Sequence, residues 1–109
     1  MKGILINPLD RSCKEIDYDQ DSIPALLGLL ECTHLDSRKV DDNETIVFGG
    51  DIKPDVYDGF VIPLPRGSLR VMGRALIMGV DAGHNKDTEL TQTGVARHIF
   101  WAGVEHAVS

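Results

Sequence analysis

Apolar and polar positions change their spacing several times along the chain, and each spacing predicts a different element. Residues 3–7 form a short apolar run that stops at Pro8, which is typical of a buried strand ended by a proline turn. Residues 13–18 mix charged and apolar positions and predict a second strand with one face in solvent. The turn at residues 8–11 would join the two strands as a hairpin.

A helical spacing follows this hairpin. Asp21 or Ser22 is a suitable N-cap, and Pro24 falls in the first turn, where its missing N–H is not needed. Apolar residues recur every three or four positions and predict one stripe that faces a core, formed by Ile23, Leu26, Leu27 and Leu30. We expect this helix to end between residues 31 and 33.

The middle of the chain returns to strand patterns. Residues 35–40 and 45–48 are extended segments separated by an acidic, turn-forming cluster at 41–44, which predicts a second hairpin. Residues 49–58 are polar and contain two adjacent glycines, so they predict a loop.

The second half of the chain begins with a β-prone run at residues 60–62. Pro63 and Pro65 follow it, so we expect this strand to lie at a sheet edge or to end abruptly. The chain is extended again over residues 66–80. Its last part, residues 75–80, contains no polar residue and would be apolar on both faces of a strand, which predicts the central strand of a sheet.

Two alternatives stay open near the C-terminus. Residues 81–87 predict a polar loop, after which Thr88 or Thr91 suits the N-cap of a short helix. The same region also alternates as a strand would, at Val95, Arg97, Ile99 and Trp101. Periodicity does not decide between these two elements.

Together these elements predict an α+β fold. We expect one small domain over residues 1–109, mainly antiparallel sheet, with one packed helix and a C-terminal helix or strand. A chain of 109 residues can bury such a core without a disulfide or a metal. The hydrophobic share of 42% and the charged share of 26% are typical of a globular chain and argue against a disordered one.

The net charge of −6 is unevenly distributed. Between Asp10 and Asp58 there are thirteen acidic and five basic residues, whereas residues 59–109 carry four acidic and five basic ones. Because phosphates and anionic lipids attract basic surfaces, this distribution argues against direct binding of nucleic acid or membrane. The sequence has no run of about 18 apolar residues and no signal-peptide pattern, so we expect a cytoplasmic protein.

The cysteines and histidines show no spacing typical of a metal site, so we expect neither a metal nor a cofactor. Cys13 and Cys32 do not form a Cys-x-x-Cys pair, and buried thiols are the simplest interpretation. His34 stands two residues after Cys32, and in a strand the two side chains would share a face. That spacing leaves a nucleophile and its base as an alternative.

Two acidic stretches offer weaker candidates. Residues 81–89 place oxygen-bearing side chains at intervals that distantly resemble a calcium loop, but Gly83 and Lys86 stand where a ligand and a glycine are expected. A strand-to-helix loop is the stronger interpretation. The acids of the turn at 41–44 could take part in acid–base chemistry, although hairpin turns are commonly acidic.

The strongest candidate site is a basic stretch with one hydroxyl, formed by Arg66, Ser68, Arg70 and Arg74. These side chains fall on one face if the segment is extended, and no acidic residue stands between Asp58 and Asp81. Guanidinium groups beside glycines suit a carboxylate or a phosphate. The competing interpretation is a solvated strand face whose arginines balance the acidic half.

Two segments carry a resemblance to a known family: residues 4–8 with Arg11 and residues 15–16, and residues 72–81. They resemble a family of short phage- and plasmid-borne proteins known only as a domain of unknown function, and the resemblance covers about the first ninety residues. The family pattern of a glycine, a basic residue, an apolar strand and Gly-x-Asp is matched by Gly73, Arg74, Gly79 and Asp81. The resemblance implies a mobile-element accessory protein and transfers no catalytic residue.

The leading hypothesis is therefore a non-catalytic binding module from a phage, plasmid or cassette. Its partner would be a host protein that the acidic half recognises, or a small anionic ligand held by Arg66, Arg70 and Arg74.

Two alternatives belong to other classes of protein. One is a small hydrolase or transferase that uses Cys32 and His34, or the acids near Asp81. The other is a structural homo-oligomer in which edge strands or the region of Phe100 and Trp101 are buried.

Overall fold

Nine strands and two helices form the part of the chain that the structure, a computed structural model, describes: residues 1–19, 21–50, 59–65 and 67–102. The strands are β1 (Lys2–Asn7), β2 (Ser12–Asp17), β3 (Leu35–Lys39), β4 (Glu44–Gly49), β5 (Gly59–Leu64), β6 (Gly67–Met72), β7 (Ala75–Asp81), β8 (His84–Lys86) and β9 (Phe100–Ala102). The helices are α1 (Ile23–Leu30) and α2 (Gln92–Ala96). This architecture confirms the predicted α+β class, with mainly antiparallel sheet and one packed helix.

Six strands form the large sheet. Its order is β2-β1-β7-β4-β3, β8 pairs with the end of β7, and every pairing is antiparallel. Strand β7 lies in the middle, and its first five residues are buried. The prediction of a central strand at residues 75–80 is therefore confirmed.

Three strands form the small sheet, in the order β6-β5-β9. Of the two alternatives for residues 60–62, the edge position is wrong, because β5 has a neighbour on each side; the strand runs on through Pro63 and ends at Leu64, directly before Pro65. Its proline is tolerated for a local reason. Strand β9 pairs with residues 59–61 of β5 and stops there, so Pro63, which has no N–H to donate, lies beyond β9 and pairs with Ser68 of β6.

The large sheet separates two apolar layers. On one face its side chains meet the small sheet in an inter-sheet core whose members include Ile6, Ile46, Phe60, Ile62, Val71 and Ile77. On the other face α1 covers a helix core formed by Tyr18, Leu26, Leu30, Val47, Leu76 and Met78. The radius of gyration of 13.2 Å is the value expected for a compact chain of about this length.

Helix α1 begins as the sequence predicts. The Ser22 side chain accepts a hydrogen bond from the N–H of Ala25, and Pro24 lies in the first turn. The helix ends at Glu31, whose φ of 54° is left-handed and whose N–H donates to the Gly28 carbonyl. Two members of the predicted stripe differ. Ile23, the first residue of the helix, is 57% exposed, and Leu27 is only partly buried and belongs to neither core, whereas Leu29 packs against the helix core.

The two predicted hairpins are confirmed, and the structure adds two more, β5–β6 and β7–β8. Residues 81–87 do not form a loop: β7 and β8 pair through a two-residue turn at Ala82 and Gly83, whose φ values of 52° and 81° are typical of a tight hairpin turn. Both C-terminal alternatives occur in succession, since α2 follows the Thr91 N-cap and β9 follows α2.

The loop predicted at residues 49–58 lies mostly outside the described residues. Among the helices of the described ranges, neither is long and apolar enough to cross a bilayer.

Candidate functional site

Of the predicted anion-binding residues that the structure describes, Ser68 and Arg70 share one face of β6 and Arg74 does not. Ser68 and Arg70 are exposed on β6, where they pair with Pro63 and Val61 of β5. Because Val71 on the same strand points into the inter-sheet core, Ser68 and Arg70 point away from it. Arg66 lies outside the described residues.

Arg74 does not share the face of Ser68 and Arg70. Strand β6 ends at Met72, and Gly73 turns the chain with a φ of 86°, so the assumption of one extended segment fails here. The Arg74 guanidinium donates to the Leu29 carbonyl at 3.4 Å and lies 3.7 Å from the Glu31 carboxylate. Arg74 thus stabilises the C-terminus of α1, where a cation is favoured.

A cleft of about 640 Å³ lies between the β3–β4 turn and the β5–β6 hairpin. We call it the polar cleft. One wall is formed by Arg38, Lys39, Asp41 and Asp42. The opposite wall is formed by Leu64, Pro65, Gly67, Ser68 and Leu69. Among the described members of the predicted set, Ser68 lines this cleft and Arg70 and Arg74 do not.

Backbone hydrogen bonds fix the first wall. The N–H groups of Val40 and Asp41 both donate to the Glu44 carbonyl, at 2.9 and 3.3 Å, which closes the β3–β4 turn. The Asp41 carboxylate accepts from the N–H of Asn43 at 2.7 Å. Arg38 pairs with Ile46, whose side chain lies in the inter-sheet core, so Arg38 projects on the side of the small sheet.

The two basic residues of the cleft, Arg38 and Lys39, differ in the ion pairs and hydrogen bonds that they make. Nη1 of Arg38 lies 3.3 Å from Oδ1 of Asp36 and donates to the Ser37 carbonyl at 3.0 Å, and the same Asp36 oxygen accepts from the Ser37 N–H. The side chains of Asp36 and Arg38 therefore bind the N–H and the carbonyl of Ser37, backbone groups of the edge strand β3. Lys39 is exposed and makes no ion pair with any described residue.

A second cavity of about 400 Å³ lies beside α2, and we call it the apolar groove. Its apolar walls are formed by Val40, Ile62, Pro63, Ile77, Leu90 and Val95. Glu89, Thr91, Gly94 and His98 complete its lining. Ile77 is fully buried, so the groove reaches the inter-sheet core.

A buried polar pair holds the segment that precedes this groove. The Glu44 side chain is 2% exposed, and its carboxylate accepts hydrogen bonds from the Thr88 hydroxyl and the Glu89 N–H, both at 2.8 Å. Reasoning from the sequence placed Glu44 in an acidic turn and missed this role. Its two donors stand 44 and 45 residues away, so no local signal indicates the pairing.

Tyr18 is the buried titratable group of the opposite face. Its side chain is 7% exposed, and its hydroxyl makes no hydrogen bond to the described residues. Burial, with the nearby charges of Asp87 and Glu44, raises the pKa of Tyr18 above 10.0. The phenol is thus held neutral and serves as a packing group of the helix core.

Cys32 and His34 do not lie in a strand. They belong to the irregular segment between α1 and β3, so the alternation that would place them on one face does not apply. Cys32 is half-buried against the helix core, whereas His34 is exposed with Nδ1 at 3.0 Å from the Thr33 hydroxyl. The catalytic pair stays a prediction.

The acids near Asp81 are spread over a hairpin and the segment after it. Asp87 accepts from the Lys2 N–H at 2.8 Å, and Glu89 lies 3.5 Å from Lys86. In the described ranges, no group of three or more histidine, cysteine or acidic side chains is placed to hold a metal ion. The geometry of this region is that of a β-hairpin, whose turn differs from a calcium loop.

No protein-family model, curated protein or solved structure matches the chain. The candidate site is therefore argued from the geometry of this chain alone.

Proposed function

We propose that the protein is a non-catalytic binding module that takes a small anionic ligand in the polar cleft. The observation that carries this proposal is the cleft itself: about 640 Å³ between two hairpins, with Lys39, Arg38 and Ser68 on its walls. Cavities of about 300–1,000 Å³ are the usual size of small-molecule sites. This site replaces the site predicted from the sequence. Of the predicted residues Arg66, Ser68, Arg70 and Arg74, it keeps Ser68.

The hydrogen-bond donors of the cleft favour an anion. Lys39 makes no ion pair with the described residues, and a charged donor forms a strong hydrogen bond with carboxylate or phosphate. Asp41 and Asp42 carry negative charges that weaken anion binding, and the Asp41 carboxylate accepts a hydrogen bond from the N–H of Asn43 in the turn.

The decisive measurement is an NMR titration of the ¹⁵N-labelled protein with sodium phosphate and sodium acetate at constant ionic strength. Amide signals of Lys39, Gly67 and Ser68 are expected to shift and saturate. Lys39→Gln should weaken binding about two- to fivefold, as expected for one exposed charge, whereas Asp42→Asn should strengthen it by a similar factor.

Matched control variants remove one positive and one negative charge on β2, which does not line the cleft. Lys14→Gln and Asp17→Asn, both at exposed positions, should leave the affinity unchanged within about 1.5-fold. If the β2 variants change the affinity as much as the cleft variants do, the anion responds to the overall charge of the protein, and the cleft is not its binding site. A weaker affinity for acetate or phosphate in Asp42→Asn would contradict the proposal, because removing a negative charge from the wall of the cleft should favour an anion.

The origin in a phage, plasmid or other mobile element remains part of this proposal, and the family resemblance supports it. A host protein as the partner is supported by the acidic half of the chain, whose net charge is −8 between Asp10 and Asp58.

Phe100 favours one further candidate, a homo-oligomer. Its side chain is 67% exposed on the outer face of the small sheet, where Phe100 pairs with Val61, whereas Trp101 packs edge-to-face on Phe60. Light scattering on the wild type and on Phe100→Ser tests it. A mass that falls to the monomer in Phe100→Ser supports this candidate, and a monomeric wild type at high concentration excludes it.

A further inference from the structure

The apolar groove adjoins the polar cleft along the open side of the two-sheet core. The same two hairpins line both cavities, and the lining passes from one to the other between consecutive residues: Val40 to Asp41, and Pro63 to Leu64. Consecutive Cα atoms are about 3.8 Å apart, so the linings of the two cavities adjoin at these two places.

The groove offers a ligand apolar surface and few polar partners. The Glu89 carboxylate lies 3.5 Å from Lys86, the Thr91 hydroxyl accepts from the Gly94 N–H at 3.0 Å, and Nδ1 of His98 lies 2.9 Å from the Gly94 carbonyl. These polar groups already have partners within the protein. Within the described residues, the Thr91 hydroxyl proton and Nε2 of His98 stay available, and most of the remaining lining is aliphatic, such as the side chains of Ile62 and Leu90.

From this juxtaposition we propose that the cleft and the groove form one site for an amphipathic anion, a carboxylate that carries an unbranched apolar chain. The carboxylate lies at the β3–β4 wall, at Arg38 and Lys39, and the chain extends past Val40 and Pro63 into the groove. The inference rests on the proposed function, since the polar cleft binds the head group. The combination of charged donors at one end with aliphatic walls at the other selects this class over phosphate or a purely apolar molecule.

A series of straight-chain carboxylates tests the inference on the intact protein. Acetate, butyrate, hexanoate and octanoate carry the same charge, and each is used below the concentration at which it forms micelles. We expect the affinity to rise about two- to fourfold for each added methylene beyond butyrate, because each methylene leaves water. Octanoate, unlike acetate, should also shift the amide signals of Leu90 and Val95.

Two variants separate the ends of the site. Leu90→Gln replaces a wall of the groove and should abolish the gain with chain length, while the affinity for acetate stays unchanged. Lys39→Gln should weaken all four carboxylates by the same factor. Leu9→Gln is the matched control, since Leu9 is 60% exposed and lines neither cavity. Signal dispersion in the NMR spectrum shows whether each variant is folded.

The outcomes distinguish the two proposals. Acetate and octanoate of equal affinity, both at the polar cleft, would overturn the amphipathic site and leave the anion site standing. Octanoate that binds the groove without any effect of Lys39→Gln would also overturn it, because the two cavities would then act separately. No binding of any carboxylate or of phosphate would overturn both. If Leu90→Gln does not fold, the chain-length series on the wild type decides alone.

Discussion

The two faces of the large sheet are closed to different degrees. On the helix face, α1 lies over β4, β7 and the end of β2, and Leu76 is fully buried beneath it. On the other face, Ile77 is equally buried, yet it also lines the apolar groove. Adjacent residues of one strand thus face a closed core and an open one.

The difference follows from what covers each face. A helix capped by Ser22 and ended at Glu31 lies over the middle of the sheet and covers Leu76. The small sheet has three strands, one of them only three residues long, and a cleft lies between its β5–β6 hairpin and the β3–β4 turn. Among the described residues, both candidate cavities lie on the face that the small sheet covers.

The largest expected effect comes from truncating the two adjacent residues of β7. Leu76→Ala should lower the free energy of unfolding by about 3–5 kcal/mol, because a closed layer cannot collapse fully around the cavity. Ile77→Ala should cost about 2–3 kcal/mol, since side chains and water of the groove can fill part of the space. Urea denaturation of both variants measures the difference.

The order of these two values is what tests the comparison. If Ile77→Ala costs as much as Leu76→Ala or more, the inter-sheet core is as closed as the helix core. The groove would then not be a preformed cavity.

A smaller effect is expected at the buried polar pair, which ties the segment before the groove to β4. Thr88→Val keeps the shape of the side chain but removes the donor to Glu44 and the acceptor for the N–H of Leu90. Buried groups left without a partner cost about 1–3 kcal/mol. Thermal unfolding should show a clear drop in the melting temperature.

Thr45→Val is the matched control for this variant. Thr45 lies on β4 next to Glu44, is half-buried, and makes no side-chain hydrogen bond to the described residues. It should change stability by less than about 0.5 kcal/mol. Similar losses in the two variants would show that the hydroxyl of Thr88 contributes nothing specific.

Much of the fold could be predicted because the signals for it are local. The run before Pro8, the cap at Ser22 and the apolar residues 75–80 each define an element through neighbouring residues. The three-residue strand β8 could not be found in this way, because His84, Asn85 and Lys86 have no apolar alternation. Its position depends on the turn at residues 82–83 and on pairing with β7.

The candidate site could not be predicted for a related reason. Arg38 and Ser68 stand thirty positions apart, on different sheets, and both belong to segments that look like ordinary solvated strands. Arg74 was assigned to the wrong face because a pattern of alternate residues assumes one unbroken strand, and Gly73 breaks it. Only the packing of the two sheets brings the walls of the cleft together.

Tyr18 lies on the helix face, and its substitution should raise the free energy of unfolding, whereas the substitutions above lower it. Its hydroxyl is buried without a partner among the described residues, so Tyr18→Phe should raise the free energy of unfolding by about 1 kcal/mol. The raised pKa also has a consequence at high pH. The folded state resists the phenolate, so stability is complete below pH 10.0, the unfolded value, and falls as the pH rises through it.

Chemical denaturation at pH 7 and between pH 9 and 11 checks both statements. Tyr18→Phe should be the more stable protein at pH 7 and should lose less stability at alkaline pH than the wild type does. A loss of stability at pH 7 would show that the hydroxyl has a partner after all, and the helix core would be less tightly closed than the comparison requires.

The smallest effect concerns Cys13, which lies on β2 and packs against the inter-sheet core. Burial raises the pKa of the Cys13 thiol above 9.0, so its reactive thiolate is less populated in the folded protein than in the unfolded chain. Alkylation by iodoacetamide at pH 8, followed by mass spectrometry in a Cys32→Ala background, should therefore be slower than in the urea-denatured chain.

The same reaction on Ile77→Ala sharpens the comparison of the two cores. If the inter-sheet core is open, loosening it should speed alkylation of Cys13, whereas Leu76→Ala should affect Cys13 less. Equal rates in the folded and denatured wild type would place Cys13 in solvent and remove it from the core.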